Sequence, residues 1–181
     1  MFTYQVDGTI SLKLFETRDA EALFQLIDSN REHLSSWLSF PTMTWEVEDS
    51  KKFIESKRMS FAKEEGYWLG IWIEETLVGS IGYLYLDQDH RKTEIGYWLG
   101  KEFEGNGYVS RSVKALIQHA FVHYNLNKVE IGVASDNEKS RAIPEKLGFI
   151  QEGVLRDYEL LQGRFLDRVM YGLTQEEWRN K

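Results

Sequence analysis

Tyr97-Trp98-Leu99-Gly100-Lys101-Glu102-Phe103-Glu104-Gly105-Asn106-Gly107-Tyr108 decides how this chain is read, because it passes from a strand through a glycine-rich turn into the clearest helix of the sequence. After the turn, Val109, Val113, Leu116, Ile117, Ala120, Phe121 and Tyr124 form a single apolar stripe at helical spacing. Glycines let backbone approach a ligand closely, and the first-turn N–H groups of a helix are unsatisfied and carry the positive end of its dipole. Together they favour phosphate oxygens. A plain loop with glycines for tight geometry is the structural alternative. A Walker A loop would need Lys and Ser or Thr where Tyr108 and Val109 stand. The dinucleotide fingerprint fails as well, since its third glycine is Ser110. A pyrophosphate of another kind remains.

Working outward, the strand Lys92 to Leu99 closes an antiparallel meander with Tyr67 to Glu74 and Leu77 to Tyr85, the first two joined by a turn at Glu75 and Thr76. Upstream, Ile10 to Phe15 alternates as a strand, and Thr17 is placed to cap a helix carrying Ala20, Leu23, Phe24 and Ile27. Glu32 to Trp45 is aromatic and irregular. A second helix is expected from about Asp49 to Glu64, with Phe53, Ile54 and Phe61 inward and Lys51, Lys52, Lys57 and Arg58 on a solvated face. Downstream come a strand Lys128 to Ala134, a short helix ending at Leu147 and Gly148, strands Phe149 to Tyr158 and Phe165 to Leu173, and a last helix capped by Thr174 with Glu177. The long connection between Leu99 and Lys128 is a crossover, expected to be right-handed. Ligands gather at the carboxyl ends of strands where such a connection leaves, so the site is expected between these two strands.

Composition narrows the classes. The 181 residues, 42% apolar, suit one core, and the two prolines, Pro41 and Pro144, mark no linker, so residues 1–181 are read as a single domain. Met1 to Gly8 lacks a basic stretch followed by an apolar core, and the longest nearly apolar run, Tyr67 to Ile73, is too short to span a bilayer. Neither secretion nor membrane insertion is expected. The absence of cysteine excludes disulfides and thiolate chemistry and fits the cytoplasm. A net charge of -7 opposes direct nucleic-acid binding and favours a cationic partner such as an amine or a basic protein. His119 and His123 have the i, i+4 spacing of zinc ligands, but no glutamate of a catalytic zinc motif lies between them and no third ligand is evident, so no metal is expected.

With its elements in this order, the chain resembles the GNAT superfamily of acyl-CoA-dependent N-acyltransferases, and more closely its Rim-type ribosomal-protein N-acetyltransferases. The likeness spans nearly the whole chain. It rests on Glu94-Ile95-Gly96-Tyr97-Trp98-Leu99, on Gly105-Asn106-Gly107-Tyr108, on Asn137-Glu138-Lys139-Ser140 through Glu145-Lys146-Leu147-Gly148-Phe149, and on Asp167 to Trp178. The resemblance implies an α/β (α+β) fold: a mixed, mostly antiparallel central sheet with helices on both faces and a splayed acetyl-CoA cleft. It implies that backbone N–H groups from Phe103 through Gly105, Asn106, Gly107 and Tyr108 to Val109 hold the CoA pyrophosphate. The pantetheine arm would lie between Glu94 to Leu99 and Lys128 to Ala134. Two residues depart from the pattern: Glu102 stands where Gln or Arg often opens the glycine motif, and Arg111 stands where the branch often has an acid. Arg111 is open to two readings, a contact to a CoA phosphate or a solvated helix residue.

Acetyl transfer from a thioester needs an unprotonated amine, stabilisation of the tetrahedral oxyanion and a proton for the thiolate. A backbone N–H near Trp98 or Leu99 is the candidate for the oxyanion. The resemblance places a carboxylate at Glu94, acting through a water on the amine; the alternative is an exposed strand carboxylate. Many superfamily members use a tyrosine on the short helix as acid, but Asn137 to Phe149 contains none, and Ser140 is the best-placed hydroxyl. Both Asn137 and Ser140 also suit a helix N-terminus, and Asn137 is a further candidate for the pantetheine amides.

For the acceptor, Trp37, Phe40, Met43 and Trp45 lie in the segment that resembles substrate-side loops, with burial in the core as the alternative. Glu46, Glu48 and Asp87 are available to attract a cation. An α-amine has a pKa of roughly 8 against roughly 10.4 for lysine, so it costs about three kcal/mol less to deprotonate. With the resemblance, this favours a protein N-terminus, such as that of a ribosomal protein, over a polyamine, an aminoglycoside or a lysine side chain. A catalytically silent CoA-binding regulator is the reading from another class. A homodimer paired through Phe149 to Leu173 is also expected.

Overall fold

A continuous eight-stranded sheet organises the computed structural model, which describes residues 3–180. Met1, Phe2 and Lys181, the ends of the expected domain, lie outside the described residues. In chain order the strands are β1 (Thr3–Gln5), β2 (Ile10–Leu14), β3 (Tyr67–Ile73), β4 (Thr76–Asp87), β5 (Lys92–Leu99), β6 (Lys128–Ala134), β7 (Ile150–Leu161) and β8 (Arg164–Thr174). Across the sheet the order is β1-β2-β3-β4-β5-β6-β8-β7. Every neighbouring pair is antiparallel except β5 and β6, which are parallel and therefore need the crossover.

Helices cover both faces: α1 (Ala20–Ser29), α2 (Arg31–Ser35), α3 (Val47–Ala62), α4 (Tyr108–Val122), α5 (Glu138–Leu147) and α6 (Gln175–Arg179). The α4 stripe of Val113, Leu116, Ile117, Ala120 and Phe121 is buried against Ile10, Leu12, Leu69, Ile71, Ile81, Ile95, Val129 and Ile131. On the other face, Ala20, Leu23, Leu26 and Ile27 of α1, Leu34 of α2 and Ile54 of α3 pack with Phe15, Leu77 and Trp98. Each face buries a stripe that would otherwise meet water, which is the main stabilising term of a layered fold.

Several local expectations are corrected. Thr17 does not cap α1; Thr17–Asp19 form a 3-10 turn, with Glu16 and Asp19 in a reciprocal capping box before Ala20. The second long helix begins at Val47, because Glu46 and Asp49 make another such box ahead of the expected start. The segment from Glu32 to Trp45 contains α2 and a 3-10 turn at Phe40–Met43. β1 carries no strand signature of its own and forms by pairing with β2 across a turn that the Asp7 side chain closes onto the Thr9 and Ile10 N–H groups. β7 runs on to Leu161, past Tyr158, across register shifts against β8.

Candidate active site

The ladder between β5 and β6 holds only at Lys92, Thr93 and Glu94 against Lys128, Val129 and Glu130, and beyond Glu94 the strands part. The result is a fork, closed behind Glu94 and open toward Leu99 and Ala134. Strand alternation sets what each side chain meets. Thr93 and Ile95 are buried, and Ile95 and Tyr97 pack in the α4 core, whereas Trp98 belongs to the α1 face. Glu94, Gly96 and Trp98 therefore share the face opposite α4. Gly100 N donates to Val78 O at 2.9 Å, so alternation turns the Trp98 N–H toward β4 and the N–H groups of Tyr97 and Leu99 into the fork.

The glycine turn stands at the open end. Gly105 and Gly107 adopt φ of 82° and 70°, the left-handed region that a side chain disfavours. The Asn106 side-chain amide donates to Phe103 O and Glu104 O at 3.1 and 3.2 Å and fixes the loop. The α4 ladder begins only with Arg111 N donating to Gly107 O, which leaves the Tyr108, Val109 and Ser110 N–H groups without an intrahelical acceptor. Phe103 packs against both cores, but its N–H donates to Gly100 O at 3.0 Å, so contrary to expectation it anchors the turn without offering an N–H to a phosphate; Val109 is buried and offers the turn its backbone N–H. The Arg111 side chain is 41% exposed, and its guanidinium pairs with Asp7 at 2.6 Å, reaches Asn106 O at 3.3 Å and lies over the Tyr108 ring. It ties the β1–β2 turn to the glycine loop.

Glu94 sits at the neck of the fork with its side chain only 13% exposed. Burial pushes its carboxyl above the usual range, Arg168 opposes that shift, and the neighbouring Glu130 adds to it. Glu130 is held below its ordinary value by the Tyr85 hydroxyl at 2.6 Å and by Lys128 at 2.9 Å, against a burial effect in the other direction. Arg168, Glu130 and Tyr85 were not singled out in the sequence. In the sequence Arg168 and Glu130 show only as charged residues within strand-like runs, and Tyr85 only as the end of one.

On the opposite face, Ser140 lies in the first turn of α5, where Asn137 Oδ1 accepts its N–H at 3.2 Å. Asn137 is thus the helix cap, with its side-chain NH2 still a donor. The Ser140 hydroxyl lies 3.4 Å from the Tyr97 hydroxyl, which in turn donates to Ser140 O at 3.0 Å. Tyr97, another residue the sequence reading passed over, supplies a phenol beside Ser140 from β5 rather than from the helix. Glu94 and Ser140 flank the fork from its two faces.

The acceptor-side residues separate. Phe40 packs on Trp98 with ring centroids 5.6 Å apart, and Trp37 is half-buried. Trp45 is 66% exposed; its ring lies 4.4 Å from the Arg31 guanidinium and its Nε1 donates to Thr42 O. Met43 is exposed beside it. Glu46 takes part in the α3 capping box, and Asp87 engages His90 at the closed end of the fork. The tip of the β7–β8 hairpin reaches this segment, with Gln162 Nε2 donating to Ser35 O at 3.0 Å. His119 and His123 stack 4.7 Å apart among Tyr4, Tyr83 and Tyr124, and burial lowers His119 to about 4.

A family model for the acetyltransferase (GNAT) domain matches residues 10–150. The "Putative ribosomal N-acetyltransferase YdaF" of Bacillus subtilis (strain 168) is 40% identical over 182 residues, covering 100% of both chains. The "Ribosomal-protein-serine acetyltransferase" of Escherichia coli (strain K12) is 28% identical, over 93% of this chain and 94% of that one. Among solved structures, the microcin C7 self-immunity acetyltransferase MccE in complex with acetyl-CoA and AMP superposes with a TM-score of 0.90 at 29% identity, over 93% and 94% of the two chains. The chain therefore belongs to the GNAT acetyltransferase family, in its Rim-type branch, and is an N-acetyltransferase.

Proposed function

We propose that this chain transfers the acetyl group of acetyl-CoA to the N-terminal α-amine of a protein, a ribosomal protein being the acceptor that its relatives' names favour. One observation carries the reading: the fork between β5 and β6 has a desolvated carboxylate at its neck and a turn of unpaired N–H groups at its mouth. The CoA pyrophosphate sits on the N–H groups from Gly105 to Val109, where α4 presents its positive end; those of Phe103 and Glu104 are taken up by Gly100 O and Lys101 O. The pantetheine arm lies in the fork, with the Asn137 NH2 as a donor to its amides. The thioester oxygen faces the Leu99 N–H, which points into the fork and serves the oxyanion better than that of Trp98.

The amine approaches on the Glu94 face. Glu94 removes its proton through a water, the nitrogen attacks the carbonyl carbon, and collapse of the tetrahedral intermediate breaks the C–S bond. The thiolate leaves on the other face, where the Ser140 hydroxyl protonates it and Tyr97 hydrogen-bonds to Ser140; the second proton of the acylated nitrogen passes to solvent, which returns a proton to Ser140. A carboxylate with a raised pKa is a better base than an ordinary one, and an α-amine asks less of it than lysine does. Trp45 and Trp37 border the acceptor path. We place the reaction in the cytoplasm, which a chain without cysteine fits. The exposed side chains of Val154, Leu155, Leu160 and Phe165 on β7 and β8 support pairing of two copies through that hairpin.

A second reading is a small-molecule acceptor; the name of a relative 23% identical over 97% of this chain, the "Spermidine N(1)-acetyltransferase" of Vibrio cholerae, favours a polyamine, and an aminoglycoside is a further amine of that class. A third, a silent CoA-binding regulator, would lack turnover altogether. Thiol release from acetyl-CoA with N-terminal peptides, polyamines and aminoglycosides separates them. N-terminal peptides should give the highest kcat/KM. Preference for a polyamine or an aminoglycoside moves the acceptor to the second reading.

A further inference from the structure

Burial and a like charge both oppose an ionised Glu94; the Arg168 guanidinium is the largest opposing influence, with the Gly132 N–H and Lys92 adding less. Glu130 of β6 is the ladder partner of Glu94, and the nearby cations are engaged with Glu130: Lys92 at 3.5 Å and Lys128 at 2.9 Å, the latter shared with Glu152 of β7 at 2.7 Å. Tyr85 of β4 gives its hydroxyl to the same carboxylate. Glu94 itself has the Gly132 N–H and Arg168, whose Nη1 lies 3.9 Å from Oε1.

Arg168 belongs to β8 and must cross β6 to reach Glu94. Small residues on that face of β6 open the way. Ala134 is its ladder partner, and a Cβ on Gly132 would sit 2.9 Å from Arg168 Cδ, 3.0 Å from its Nε and 3.0 Å from Glu94 Oε1. The Tyr158 ring, 4.8 Å from the guanidinium carbon, backs it from β7 within the register shift between Leu155 and Glu159. At 3.9 Å the pair is longer than a hydrogen bond, so Arg168 steadies the carboxylate by charge without occupying the lone pairs that a water or an amine needs.

We propose that Arg168 is a positioning residue for acetyl transfer: reaching over Gly132 and braced by Tyr158, it orients and stabilises the Glu94 carboxylate on the acceptor face. The inference rests on Glu94 being the base. It is tested by Arg168→Met and Arg168→Lys, each alone and combined with Glu94→Gln, in the full chain, with acetyl-CoA and a free N-terminal peptide. Arg168→Met should lower kcat by about tenfold or more, and move the acidic inflection of the kcat profile about one unit upward, because the carboxylate loses its cation. The KM for acetyl-CoA should stay within about twofold, and Arg168→Lys should recover part of the loss. In the Glu94→Gln background, Arg168→Met should cost almost nothing further. An unmoved inflection, or an equal loss in both backgrounds, overturns the role of Arg168 and leaves Glu94 as the base. Full activity in Glu94→Gln alone removes the base assignment itself. Melting curves identify any variant that fails to fold, and if Arg168→Met does, the neutral and polar Arg168→Gln carries the pH test.

Discussion

At the residue scale, Glu94 carries the strongest conflict between stability and function. Its carboxyl has a raised pKa in the folded state, so the fold binds that proton more tightly than the unfolded chain does. The stability this brings is present at low pH and is lost as pH rises through the folded value. Glu94→Gln keeps an oxygen acceptor for the Gly132 N–H and carries no charge to desolvate. It should lose about 100-fold or more in turnover and yet melt higher than the parent at neutral pH, with the gap closing in acid. Thermal melts across the pH range check the sign, and a lower melting temperature at neutral pH would show that the charge is net stabilising.

At the scale of elements, the glycine turn separates fold from ligand binding. A Cβ at Gly107 would meet nothing within 4 Å, so Gly107→Ala suffers only from its positive φ, about 1 kcal/mol. For a chain of this size that is a fall of roughly 2–4 °C in melting temperature. The methyl would, however, stand at the N–H groups proposed to hold the pyrophosphate. The KM for acetyl-CoA should therefore rise about tenfold or more while kcat changes little, as steady-state kinetics at saturating acceptor can measure.

The same scale shows what was legible. The strand, turn and helix from Lys92 to Val122 were readable because a period of two gives way to a helical stripe at Gly105 and Gly107. β1 was not, since Thr3 to Gln5 gains its conformation only from β2. Thr17 misled because a threonine before an apolar run fits a cap as well as a 3-10 turn. Arg168 and Tyr97 were invisible as site residues for a different reason: each acts across strands far apart in sequence, and register decides such meetings.

At the scale of the molecule, β7 is an edge strand, and the β7–β8 hairpin exposes Leu160 and Phe165 at 58% and 60%. Unpaired edges with exposed apolar side chains are places where copies associate. Light scattering coupled to size exclusion should find a dimer for the parent and a monomer for Leu160→Glu/Phe165→Glu. A monomeric parent removes that assignment without touching the chemistry.

The central claim joins the fork to an α-amine. Its most direct test is thiol release from acetyl-CoA with one peptide in two forms, its N-terminus free or blocked, each retaining an internal lysine. Release with the free form, the acetyl group located on the α-nitrogen by mass spectrometry, and little release with the blocked form is the expected result. Equal release from both forms, or none from any amine despite bound CoA, would contradict it.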